Sequence, residues 1–119
     1  MSAPVRAAAG DRLPEIRHPV TASTVVLGAA ASRDWRPVHH DRDAAAAIGL
    51  RDIFLDTQTQ LAWLQRCVTD WTGPGGRLGR LALRMHGPVH PGDEMVVGGT
   101  VEGVEIGRAS CRERVYSNV

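Results

Sequence analysis

The spacing of apolar positions changes along the chain, and each change marks an element. From Asp11 to Val20 (DRLPEIRHPV), Leu13, Ile16 and Val20 recur loosely among polar residues, which predicts a first strand. Thr21 to Ala31 (TASTVVLGAAA) is small and apolar, with Thr21 or Ser23 placed to cap it, and reads as a short helix. Val25 and Val26 would also fit a strand. Pro37 disfavours helical backbone at Arg36, so residues 33–40 read as a turn. Asp41 can cap a second short helix, DRDAAAAIG, closed by Gly49. The strongest helical pattern runs from Asp56 to Trp71. Leu61, Leu64, Val68 and Trp71 form one stripe there, Asp56 or Thr57 opens it, and Gly73-Pro74-Gly75-Gly76 stops it.

Beyond the stop, the pattern turns strand-like. Leu78, Leu81, Leu83 and Met85 predict one strand, His90-Pro91-Gly92-Asp93 a turn, and Met95, Val97, Val101 and Val104 another strand. The order is strand, short helices, one long helix, then antiparallel strands. That is an α+β class, with the long helix packed on a curved sheet. Residues 1–10 read as a disordered leader. At the other end, EIGRASCRERVYSNV (Glu105 to Val119) crowds charge where the next strand should begin. It reads either as a solvated, frayed terminus or as foreign sequence. EIGRASCRERV resembles the translation of a sequencing-library adapter, so residues 105–119 are expected to be non-native and the domain to occupy 11–104.

Composition narrows the functional classes. A chain of 119 residues that is 43% apolar fits one domain with a small core. A net charge of +1, with arginine as the whole basic set, favours neither nucleic acid nor an anionic membrane. The chain has no apolar run of the ~18 residues that would span a bilayer, and its start is too short and weakly apolar for a signal peptide. A soluble cytoplasmic protein is expected. Cys67 and Cys111 make no zinc or disulfide spacing.

Candidate chemistry concentrates in SRDWRPVHHDRD, Ser32 to Asp43. Asp34 and His39 flank Pro37, and such a turn can bring a carboxylate and an imidazole to one side of a pocket to hold and deprotonate water. Spacing alone favours the plainer reading, in which Asp34 caps a backbone N–H and His39 packs in the loop. A metal site is disfavoured, because His39, His40 and Asp41 are adjacent and neighbouring side chains seldom converge on one ion. The glycine-rich Gly73–Gly76 follows a helix instead of preceding one, so a helix stop is the better reading than a phosphate loop. Trp71 fits the helix stripe and the core, Trp63 a partner face, and Trp35 either a pocket wall or ordinary packing. His86 and His90 carry no motif.

Asp34-Trp35-Arg36-Pro37-Val38-His39-His40-Asp41 resembles the D-x-N-P-[LI]-H-x-D motif of MaoC-like enoyl-CoA hydratases. The blocks Val38–Asp43, Asp52–Phe54 and Val68–Pro74 are similar to a small actinobacterial branch of that family that includes subunits of steroid side-chain degradation. The resemblance implies a hotdog fold over residues 11–104, C-terminally truncated, with an unpaired sheet edge after Val104. It implies reversible hydration of trans-2-enoyl-CoA thioesters, with Asp34 and His39 as the catalytic pair and a bulky acyl chain as substrate. It implies no metal and no cofactor beyond the coenzyme A of the substrate, and a homo- or hetero-oligomer with a second MaoC-like subunit. The alternative is a non-catalytic hotdog subunit or acyl-CoA-binding module that completes a partner's site; a thioesterase is a weaker third reading. Backbone N–H groups of Asp56 and Thr57 are the candidate oxyanion donors. Leu55-Asp56 stands where the family usually has His-Gly, and the Asp56 carboxylate is compatible with that role only if it points away. Arg36 stands where the family usually has Asn. It reads as a solvated arginine, or as a partner of Asp41, Asp43 or a coenzyme A phosphate. His40 and Asp41 are expected to support the turn and cap, and Asp43 to be solvated.

Overall fold

A computed structural model describes residues 7–105 and 108–118. Strand β1 (Arg12–Pro19) leads into helix α1 (Ala22–Ser32), a single 3-10 turn (Pro37–His39), helix α2 (Arg42–Ala47) and the long helix α3 (Thr57–Thr72). Strands β2 (Glu94–Glu105) and β3 (Arg108–Asn118) follow. The sheet is antiparallel in the order β1-β2-β3, and α3 lies against β1 and β2, the α+β arrangement expected.

The predicted punctuation is present in detail. Thr21 and Thr24 exchange side-chain and backbone hydrogen bonds in a capping box at the start of α1. The Asp41 carboxylate accepts the N–H groups of Asp43 and Ala44 and starts α2, and Gly49 follows that helix at φ 87°. Pro14 lies where β1 bulges, between Leu13 and Ile16, because proline offers no N–H to the ladder. The buried face of α3 is Gln60, Leu64 and Cys67, so Leu61 and Val68 of the predicted stripe sit at its margins.

Two apolar clusters share α3. One gathers Val20, Val25, Ala45, Ile53, Leu55, Val89 and Met95, with Trp63 against it. The other gathers Leu13, Leu64, Cys67, Val97 and Val101, with Trp71 and Leu83 against it. Trp63 stacks on His18, ring centroids 4.2 Å apart. Burial and the nearby Arg66 push the His18 imidazolium down, which suits an apolar stack.

Three expectations need correction. Leu78–Met85 forms no strand: the alternation is there, but among the described residues no ladder partner faces it. The edge of β2 expected to be unpaired carries β3, from Glu94↔Asn118 to Glu105↔Arg108. A ladder of backbone bonds accepts almost any side chains, so this pairing carries no information on where residues 105–119 come from. Of the expected leader, residues 1–6 lie outside the described residues. Residues 7–10 instead make a turn, with the Gly10 N–H on the Val101 carbonyl at 2.8 Å.

Candidate active site

Asp34 is placed by the end of α1. The N–H of Arg33 bonds the Ala30 carbonyl at 3.2 Å and that of Asp34 bonds the Ala29 carbonyl at 2.9 Å, the paired closure of a helix C-terminus. Arg33 sits in the left-handed region, φ 57° and ψ 33°, which turns the chain sharply and aims Asp34 back across the helix end. The Pro37–His39 turn then carries His39 inward until it is fully buried.

A backbone carbonyl fixes the tautomer of His39. Nδ1 lies 2.7 Å from the carbonyl oxygen of Phe54. A carbonyl can only accept, so the proton is on Nδ1 and the lone pair of the neutral ring is on Nε2. Phe54 holds the ring a second way, edge to face with centroids 4.6 Å apart, and its N–H bonds the Val38 carbonyl at 3.2 Å. Nε2 faces Asp34 Oδ2 at 3.2 Å without an aligned hydrogen bond. Two lone-pair atoms face each other there, so a proton, or a water bringing protons, satisfies both.

The Asp34 side chain is about 10% exposed and pairs with Arg36: Nε to Oδ1 at 3.1 Å and Nη2 to Oδ2 at 3.2 Å. This hydrogen bond is the largest influence holding the Asp34 carboxyl below the usual carboxylate range, against the opposing effect of burial. Arg36 therefore does not pair with Asp41 or Asp43, as sequence reasoning allowed. The reason is local: the extended backbone of Arg36 (φ −60°, ψ 132°) returns its side chain over Asp34.

Beside Asp34 lies a depression of about 220 Å³, lined by Val26, Ala29, Ala30, Trp35 and His40 as well. The alanines leave it open, and Trp35, 67% exposed, forms a wall. His40 stays at the surface with Nε2 3.4 Å from the Trp35 carbonyl oxygen, Asp41 caps α2, and Asp43 is exposed.

Asp56 and Thr57 head α3, and their N–H groups have no acceptor among the described residues, as a helix start leaves them. The Asp56 carboxylate is buried and turned toward α1, with Oδ2 2.6 Å from Ser32 Oγ and Oδ1 2.5 Å from Thr59 Oγ1. Gly28 permits this approach, since a Cβ there would strike Thr59 Oγ1. Ser32 is two residues from Asp34, so the start of α3 is tied to the motif turn by one side-chain bond.

Sequence reasoning missed His90. It is buried, with Nδ1 2.9 Å from the Ile53 carbonyl oxygen, so the Asp52–Phe54 block anchors two imidazoles through successive carbonyls. Nothing near His90 in sequence signals this contact, which spans 37 residues.

A long helix on an antiparallel sheet is the hotdog architecture of MaoC-like hydratases. A family model described as a MaoC like domain matches residues 5–119. The chain is 39% identical over 98 residues to the 3-oxo-4,17-pregnadiene-20-carboxyl-CoA hydratase beta subunit of Mycobacterium tuberculosis, covering 82% of this chain and 76% of that protein. It is therefore a member of the MaoC-like family. Among solved structures it is similar to a chain of the ChsH1-ChsH2 complex from Mycobacterium tuberculosis, with TM-score 0.91 and 34% identity over 94% of this chain and 88% of that one. It shares its fold with the (R)-hydratase from A. caviae involved in PHA biosynthesis, with TM-score 0.78 and 22% identity over 93% and 86% of the two chains. Among the described residues no helix is long and apolar enough to cross a membrane.

Proposed function

We propose that the chain is an enoyl-CoA hydratase subunit whose Asp34 and His39 activate water for addition to a trans-2-enoyl thioester. The observation that carries this reading is the buried Nε2 of His39, without an aligned hydrogen bond and 3.2 Å from Asp34 Oδ2, in a ring held by its Nδ1 contact with the Phe54 carbonyl. A water beside the pair, in reach of both atoms, is oriented by the Asp34 carboxylate and gives a proton to Nε2. Its oxygen bonds Cβ, the π pair moves onto the thioester oxygen, and Nε2 returns the proton to Cα. In this reading the Asp56 and Thr57 N–H groups face the oxygen where negative charge develops. The buried Asp56 carboxylate is turned to Ser32 and Thr59, which meets the condition set by the sequence. The reaction calls for no metal and no cofactor beyond the substrate's coenzyme A.

The small residues beside Asp34 suit a bulky acyl chain, and the similarity to a steroid-acyl-CoA hydratase subunit supports that class of substrate. Val26, Leu27, Trp35 and Ile48 are exposed apolar residues, and the similarity to a chain of a two-component complex supports assembly with a second MaoC-like chain. The protein is assayed alone and with such a chain for hydration of trans-2-enoyl-CoA thioesters. Asp34→Asn and His39→Ala are each expected to lower kcat by on the order of 10²–10⁴-fold, Asp34→Asn with little change in melting temperature and His39→Ala, which empties a buried site, with a lower one. Rates unchanged in both variants would leave the non-catalytic subunit as the reading.

A further inference from the structure

We infer that Arg36 is a positioning residue: from the mouth of the site its guanidinium holds the Asp34 carboxylate anionic and turned toward His39. This rests on the hydratase reading above. Charge and burial are graded along one line. The Arg36 side chain is 67% exposed, Asp34 10% and His39 0%. Nε and Nη2 of Arg36 take the two oxygens of Asp34 separately, at 3.1 and 3.2 Å, and the Arg36 N–H adds a long third contact at 3.4 Å. Such a two-point contact fixes the plane of a carboxylate, which a single charge or the neutral asparagine of the resembled motif does not.

The surroundings leave this task to Arg36. Helix α1 presents only Val26, Ala29 and Ala30 to the depression beside Asp34. His40 lines the same depression, and His39 faces Oδ2. Asp56, the acidic group at the neighbouring helix start, is turned to Ser32 and Thr59. Arg36 is therefore the permanent cation facing Asp34 among the described residues. Direction agrees: the Arg36 hydrogen bond is the first cause of the lowered Asp34 pKa.

A division of labour follows. A carboxylate held by a guanidinium is a weak base, so Asp34 orients water and His39 Nε2 moves the proton. Removing Arg36 lets Asp34 protonate at higher pH, which brings the loss of activity at acid pH to a higher pH.

The test is the pH profile of kcat/KM for hydration of a trans-2-enoyl-CoA thioester by wild type, Arg36→Gln and Arg36→Lys. Allowing for the exposure of Arg36, Arg36→Gln should raise the acid limb by about 0.5–1 pH unit. The rate then falls about 3–10-fold on the limb and less than about twofold on the plateau. Arg36→Lys should restore part of the limb, because it returns the charge without the two-point contact. In parallel, the ¹³C-NMR titration midpoint of the Asp34 carboxyl should rise in Arg36→Gln, a readout that needs no turnover. An unmoved limb and midpoint, or an equal rate loss at every pH, would overturn the inference. If Asp34→Asn and His39→Ala abolish activity while Arg36→Gln leaves the limb in place, only the role of Arg36 falls. If those two variants keep the full rate, the hydratase reading falls and the role of Arg36 falls with it.

Discussion

Between Thr21 and Asp56, side chains tie most changes of direction, whereas from Arg77 to Pro88 the one such tie among the described residues is Thr57 Oγ1 to Met85 Sδ. In the first stretch Thr21 boxes the start of α1, Asp41 caps α2, and Arg42 meets Asp52 at 2.9 Å. Ser32 and Thr59 close on Asp56, and His39 bonds the Phe54 carbonyl. In the second, among the described residues, there is neither helix nor strand and no backbone hydrogen bond. That segment is held by side chains such as Leu83 against the second apolar cluster and Met85 against Thr57. The contrast shows where precision is placed. The Asp-His pair sits on backbone that short-range chemistry determines, while the far segment relies on non-directional burial, which holds a chain near a surface without fixing its register.

The contrast is broken most directly by proteolysis. Arg77, Arg80 and Arg84 are exposed in the second stretch, and Arg33, Arg42 and Arg51 are exposed in the first. Exposure is thus matched, and only the need to unfold backbone differs. Limited trypsin digestion followed by mass spectrometry should show cleavage after Arg77, Arg80 or Arg84 on the order of 10²-fold faster than after Arg33, Arg42 or Arg51. Comparable rates at both sets would remove the distinction.

The same contrast explains what sequence reasoning could read. The caps at Thr21 and Asp41, the close at Gly49 and the run of α3 follow from residues within one turn of each other, and all were legible. The Asp34–His39 pairing was legible as a motif but not as geometry, because spacing alone favoured a capped loop. Leu78–Met85 has the alternation of a strand, yet a strand exists only with a neighbour, and no local signal reports one. The same holds for β3, whose charge-rich sequence argued against a strand while β2 offered it a backbone edge. The Arg36–Asp34 pair, two residues apart, depends on the φ and ψ of the turn. The burial of Asp56 depends on how closely Gly28 lets α1 approach α3.

That approach supports a second prediction. The Asp56 carboxylate accepts from Ser32 and Thr59 in a buried seam, so Asp56→Ala strands the Thr59 hydroxyl, leaves that of Ser32 bonded to the Gly28 carbonyl at 2.9 Å, and opens a small void. The expected loss is about 1–3 kcal/mol of unfolding free energy by urea titration. Asp56→Asn, which keeps one acceptor oxygen and nearly the same volume, should lose less. If Asp56→Ala unfolds at the wild-type urea concentration, the seam does not hold the site half together, and apolar burial alone would account for both regions.

The smallest expected effect probes the tie nearest the chemistry. Arg33 is the one non-glycine residue at positive φ among the described residues, and it closes α1 immediately before Asp34. A side chain there crowds the backbone, and a β-branched one crowds it more. Arg33→Val should therefore lower stability by about 1 kcal/mol. Arg33→Gly relieves the crowding but gives the unfolded chain more freedom, so it should change stability by less than about 0.5 kcal/mol in either direction. Activity should separate the two variants further. If the left-handed turn aims Asp34, Arg33→Gly keeps the aim available and retains most of the rate, while Arg33→Val pulls the backbone toward extended conformations and loses rate beyond its loss of stability. Equal rates in folded Arg33→Val and wild type would mean that the pair with Arg36, and not the end of α1, sets the direction of Asp34.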